Sequence, residues 1–198
     1  PLELANNVDY VKSYDDYGQL VITLLSTSAA YEAAEITAEG KKLDPEMVTE
    51  ADIIGAYDVE TGAETGMEVL RQVYPKHGIV PGILMAPGWT ENPNIGAALQ
   101  AKCEDINGAF RALCLVDLDT TKAKKHTDCK KAKTDAGYDD EHSIVLWPRV
   151  QKDGKICAYS AVYGAMMSYS TAANGDVPYL YPSNKELNID GAVLADGT

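Results

Sequence analysis

Three short apolar runs, each followed by a polar stretch, most constrain what this chain can fold into: "GILMAPG" from Gly82, "FRALCLVDLD" from Phe110 and "SIVLWPRV" from Ser143. The first leads into a periodic segment from about Pro93 to Ile106, predicted as a helix, and the second into "TTKAKKHTDCKKAKTDAG", predicted as another. The third runs into a Lys152-Asp153-Gly154 turn, after which a last helix is expected over about Ala158 to Ala173. Apolar strands alternating with helices of about a dozen residues imply parallel pairing, with helices covering both sheet faces. The expected fold class is therefore α/β, with a mainly parallel sheet flanked by helices on both faces.

The first part of the chain is less regular. Residues 1–18 read as a peripheral segment with room for one strand, residues 19–185 as the α/β core, and residues 186–198 as the cut-short start of a following segment. "QLVITLLST", Gln19 to Thr27, is β-branched and apolar enough for a buried strand. Ala29 to Asp58 is acidic, with only Lys41 and Lys42 in opposition, and reads as an exposed region. Within it Thr49-x-x-Asp52 has the pattern of a capping box opening a helical turn. Met67, Leu70, Val73 and Tyr74 recur at helical spacing, which predicts an amphipathic helix from Glu64 to Tyr74 ended by Pro75.

Charge narrows the partners. Thirty acidic side chains against 17 basic give a formal charge of -13, a field that repels nucleic acid and anionic membrane surfaces. No apolar run approaches the roughly 20 residues of a membrane-spanning helix. Cys103, Cys114, Cys129 and Cys157 lack CxxC spacing and read as free thiols.

Candidate chemistry is sparse. "APGWTENPNIG" follows a strand and opens a helix, as a phosphate site would. It has neither GxGxxG nor GxxxxGK[ST], and it places Trp89 and Glu91 where a phosphate would need backbone amides, so no nucleotide cofactor is expected. "DLDTT", Asp117 to Thr121, fits DxDxT, by which haloacid-dehalogenase-like phosphatases supply an aspartyl nucleophile and an acid/base partner beside Mg²⁺. That alternative would use Asp117 and Asp119. The plainer reading makes Asp119 and Thr120 caps of the following helix. His77, His126 and His142 have no metal-ligand spacing, and Ser160 lacks a GxSxG frame. No catalytic, cofactor or metal residue is expected. In the last helix, Ala161, Gly164, Ala165, Ser168 and Ala172 form a small-residue face predicted to lie against a neighbouring backbone, with Ser170 off that face.

Taken in order, "GIVPGILMAPGW", "FRALCLVDLD", "VLWPRV" and "SAVYGAMMSYSTAANGDVPYLYPSNKELNIDG" resemble the core domain of contractile phage tail sheath proteins, over roughly Val48 to Gly191. The resemblance implies a subtilisin-like α/β domain in a non-enzymatic subunit of the virion tail, assembled in the bacterial cytoplasm. It implies homo-oligomeric hexameric rings stacked as a helical tube around a tail tube protein, which contract to drive that tube through a bacterial envelope. Subtilisin's catalytic motifs are absent, so protease activity is not implied. The resemblance also implies terminal arms that tie subunits together. Neither arm is evident in this sequence, so this stretch alone is expected to be monomeric.

A helical assembly needs unlike surfaces that meet. Lys122, Lys124, Lys125, Lys130, Lys131 and Lys133 gather on one segment, read as helical, while Glu32, Glu35, Glu39, Glu60, Glu64 and Glu68 lie on a distant one. These lysines, with Glu60, Glu64, Glu68 and Trp89, are the candidate intersubunit residues.

Overall fold

The structure is a computed structural model, described here for residues 3–15, 19–39, 44–178 and 183–198. Lys41 and Lys42, and most of the "PYLYPSN" loop, lie outside the described residues. The chain divides into two compact units, Pro1–Asp44 and Pro45–Thr198.

In the first unit, β1 (Tyr10–Tyr14) pairs antiparallel with β2 (Leu20–Leu24) in the register Tyr10↔Leu24 to Tyr14↔Leu20. Ser28 Oγ donates to the Asp9 carboxylate at 2.9 Å, tying the following turn to the hairpin. The expectation of a buried strand over Gln19–Thr27 is corrected: Leu20, Val21 and Ile22 are exposed. Composition signalled a strand, but burial needs a covering layer, and a two-stranded ribbon supplies none.

The second unit begins with a 3₁₀ turn, Pro45–Met47, followed by α1 (Glu50–Ile54), which is opened by the expected capping box: Thr49 N donates to Asp52 Oδ2 at 2.8 Å, and Asp52 N donates back to Thr49 Oγ1. A 3₁₀ segment, Gly66–Gln72, runs into α2 (Val73–His77). Pro75 therefore lies inside a helix, contrary to its expected role as terminator. It sits in the first turn of α2, and the carbonyl four residues back, Arg71 O, accepts from Asn107 Nδ2 instead, so the missing N–H leaves no acceptor unpaired there.

Three parallel strands follow in the order β3-β4-β5: Ile83–Met85, Leu113–Asp117 and Ser143–Leu146. The crossovers are α3 (Pro93–Glu104) and α4 (Cys129–Ala136). Asn92 caps α3 by accepting from Asn94 N at 3.0 Å, and Pro93 takes the first helical position. Ile95, Leu99 and Cys103, a stripe at helical spacing, meet Leu84, Cys114 and Val116 in the core. Leu115 points to the other face, against α5 (Tyr159–Ala173). The period-two alternation along β4 thus serves two helical layers, and Cys114 to Asp117 are all buried.

"SIVLWPRV" is two strands rather than one. The run divides at Trp147-Pro148, and β6 (Arg149–Lys152) joins a second, antiparallel sheet of order β7-β6-β8 with Lys155–Cys157 and Gly191–Val193. Pro148 offers no N–H to a ladder. Asp153 and Gly154, both at positive φ, form the expected hairpin turn between β6 and β7. The architecture is mixed α/β with a small parallel sheet.

The last helix is rotated from its predicted orientation. Gly164 is buried as expected, but Ala165, Ser168 and Ala172 are exposed, and Ser160 and Ser170 are buried. A Cβ on Gly164 would lie 2.9 Å from Met85 Sδ and 3.4 Å from Leu115 Cδ1, so the close approach is to side chains of the sheet.

Candidate functional site at the carboxyl end of the parallel sheet

A cluster of buried polar side chains in the second unit meets where β3 and β4 end. Asp117, the last residue of β4, is 3% exposed. Its Oδ1 accepts from Ser160 N at 2.8 Å and its Oδ2 from Ser160 Oγ at 2.5 Å. Ala158, at the N-cap of α5, has no side chain able to cap, so a strand carboxylate satisfies a free N–H of that helix from across the fold. The backbone N of Asp117 donates to Thr90 Oγ1 at 2.9 Å, and Thr90 is itself fully buried. Burial pushes the Asp117 carboxyl above the usual carboxylate range. The two bonds from Ser160 oppose that push, Glu91 adds to it and Arg149 opposes it.

Around this centre the loops are pinned. Arg149 pairs with Glu91 at 2.7 Å through both Nε and Nη2, joining the first residue of β6 to the loop after β3. Tyr138 Oη donates to the carbonyl of Thr90, and a Cβ on Gly96 would collide with that phenol. Trp147 Nε1 donates to Ala123 O at 2.7 Å, and Ala195 N donates to Thr120 Oγ1 at 3.1 Å. Among the described residues no buried side-chain nitrogen or oxygen lacks a partner. An open cleft of about 630 Å³ lies beside this network, lined by Glu91, Asp119, Lys122, Asp128, Lys131 and Tyr138 among others.

This arrangement disfavours nucleophilic use of Asp117. An aspartyl nucleophile needs an accessible carboxylate oxygen, whereas both oxygens of Asp117 are held by Ser160 in a buried position. Asp119 accepts from Thr121 N at 2.9 Å and from Thr121 Oγ1, and it pairs with Lys122 at 3.4 Å. Burial pushes its carboxyl up, but those three donors together bring it below the usual value. The expected cap on a following helix is corrected: Asp119 closes its own turn, Thr120 receives the C-terminal segment, and α4 starts only at Cys129. Among the described residues no group of three or more His, Cys, Asp or Glu side chains is placed to hold a metal ion, and no helix is long and apolar enough to cross a membrane.

The lysines do not share one helix. Lys130, Lys131 and Lys133 are on α4, while Lys122, Lys124 and Lys125 lie in the turn before it. Lys122, Lys131 and Lys133 have carboxylate neighbours at Asp119, Asp135 and Asp139. Glu64 accepts from Gln72 Nε2 at 2.8 Å and lies 3.7 Å from Arg71, and Glu68 pairs with Lys102 at 2.6 Å. Glu60 is exposed. Trp89 is half-buried, packed against the core.

One curated protein shares a stretch of this sequence. The likeness is to a tail sheath protein. That relative, from Burkholderia phage BcepMu, is 40% identical over 58 residues, which are 29% of this chain and 12% of the phage protein. The match thus spans about an eighth of the relative's length. No family model matches, and no solved structure matches. The partial likeness supports a relationship to tail sheath proteins within that stretch.

Several residues of this site went unread in the sequence. Thr90, Tyr138 and the Glu91–Arg149 pair carry no local motif, because their partners are 27, 48 and 58 residues away. Gly96 was the available signal: a glycine in the first turns of a helix costs stability unless something must come close.

Proposed function

We propose that this chain is a structural subunit of a contractile phage-type tail sheath, with its second unit serving as the α/β core domain. The observation that carries the reading is the 40% identity, over a stretch of 58 residues, to the phage tail sheath protein. The carboxyl end of the parallel sheet supports it from another direction. There, where an α/β enzyme would place its reacting groups, the polar side chains bond one another and fasten α5, β6 and the C-terminal segment. Burial of Asp117 weighs against the Mg²⁺-dependent phosphatase alternative.

On this reading the partners are further copies of the same subunit and a tail tube protein. The exposed Lys124, Lys125, Lys130 and Lys131 form the basic side of a contact whose acidic side includes Glu60 of the next copy. Rim ion pairs of about 0.2–1 kcal/mol each are weak enough to exchange during contraction. Sedimentation of the complete gene product carrying this sequence tests the reading. Self-assembly predicts a pelletable polymer and no Mg²⁺-dependent turnover of an aryl phosphate. A product that stays in the supernatant and hydrolyses the ester would overturn it.

A further inference from the structure

The turn between α3 and β4 brings together a reactive amide, a nucleophile and a base. Asn107 and Gly108, at φ 59° and 69°, are the two central residues of the four-residue turn Ile106–Ala109, in which Ala109 N donates to Ile106 O at 3.3 Å; Ile106 and Phe110 flank it, with Ile106 N donating to Phe110 O at 2.8 Å and Phe110 N back to Ile106 O at 3.1 Å. An Asn-Gly pair with positive φ at both positions is the signature of a type I′ turn. Gly108 has no Cβ to shield its nitrogen, and all three of Asp105, Asn107 and Gly108 are exposed. The Gly108 N–H donates to Asp105 Oδ1 at 2.5 Å, so a carboxylate already holds the proton that this nitrogen must lose to become a nucleophile.

We propose that Asn107 is a self-modification site, converted in the folded protein to aspartate and isoaspartate with Asp105 as the general base. The Gly108 nitrogen attacks Asn107 Cγ as Asp105 takes its proton. A new N–Cγ bond forms, the Cγ–Nδ2 bond breaks, and the amide nitrogen leaves as ammonia, carrying the proton that Asp105 relays. Solvent water then adds to either carbonyl of the resulting succinimide and breaks one of its two C–N bonds. One water is consumed and one ammonia released, with no oxidant or reductant.

The product changes a contact between elements. Asn107 Nδ2 donates to the Arg71 carbonyl at 3.0 Å, tying the turn to the 3₁₀ segment. Deamidation replaces that donor with a carboxylate facing a carbonyl oxygen, and the isoaspartate product also adds a methylene to the main chain of a tight turn. The modification therefore loosens the turn from the Gly66–Gln72 segment and adds negative charge beside Asp105.

The chain contains its own control. Asn174-Gly175 is the same dipeptide, but there the Gly175 N–H donates to the Ala172 carbonyl at 3.1 Å, a group that does not take the proton. The test is to incubate the folded chain at neutral pH and follow both sites by peptide mapping with mass spectrometry. Asn107 should convert about tenfold or more faster than Asn174, below the full range of positioned general bases. Asp105→Asn should bring the two rates together, as should incubation in urea, where the carboxylate is no longer held against the nitrogen. Equal rates in the folded wild type would overturn the proposal. So would an Asn107 advantage that survives Asp105→Asn or unfolding, and if that variant does not fold, the urea comparison decides.

Discussion

Replacing Gly96 with alanine should destabilise the second unit, although alanine is the better helix former. An added Cβ would sit 2.1 Å from Tyr138 Oη, 2.3 Å from Cε1 and 2.4 Å from Cζ. The ring would have to retreat by about 1 Å or more to reach ordinary contact distances. Tyr138 is 1% exposed and donates to the Thr90 carbonyl, so little space is open to it and the hydrogen bond moves with the ring. Overpacking costs about 1–3 kcal/mol, and a buried carbonyl left without its donor about 1–3 more. The gain in helix propensity is only about 1 kcal/mol. The net loss should be about 3 kcal/mol, read as a midpoint lowered by roughly 6–12 °C for a unit of this size. Urea or thermal melts followed by circular dichroism measure it. In a double-mutant cycle, Tyr138→Leu should cost less in the Gly96→Ala background than in wild type, because the smaller side chain relieves the collision. A Gly96→Ala protein as stable as wild type, or more so, would refute the packing argument.

Gly164→Leu should cost roughly 1–3 kcal/mol or more by driving a side chain into Met85 and Leu115, while exposed Ala165→Leu changes the melting midpoint little. Asp117 gives a pH signature: because burial raises its folded pKa, its contribution is fully present below the unfolded value of about 3.9 and declines as pH rises through the folded pKa. The stability advantage of wild type over Asp117→Asn should therefore shrink as pH rises from about 3 to about 7, and an advantage that grows over that interval would contradict the assignment. Reversing Lys124, Lys125, Lys130 and Lys131 to glutamate in the complete gene product should impair polymerisation at low salt. The wild-type assembly should weaken between about 50 and 500 mM salt as screening shortens, and assembly indifferent to both would make these lysines ordinary surface.

The sequence made the parallel sheet legible because β4 and α3 each satisfy one strong periodicity: Cys114, Val116 and Leu115 alternate between two helical layers, and Ile95, Leu99 and Cys103 fall on one helical stripe. Local chemistry was legible too, in the Thr49–Asp52 box and the Asp153-Gly154 turn. What could not be read were decisions made by distant partners. Pro148 splits a continuous apolar run between two sheets. The face that α5 buries is set by where Met85 and Leu115 lie rather than by its own small residues. Asp117 carries a motif of catalysis, yet Ser160, 43 residues away, takes both of its oxygens and makes it a fastening for α5.

Electron microscopy of the complete gene product carrying this sequence, expressed alone, tests the central claim most directly. A sheath subunit predicts hollow, transversely striated tubes with a regular helical repeat. Dispersed particles of uniform small size, at protein concentrations and salt where the charged contacts are unscreened, would contradict it.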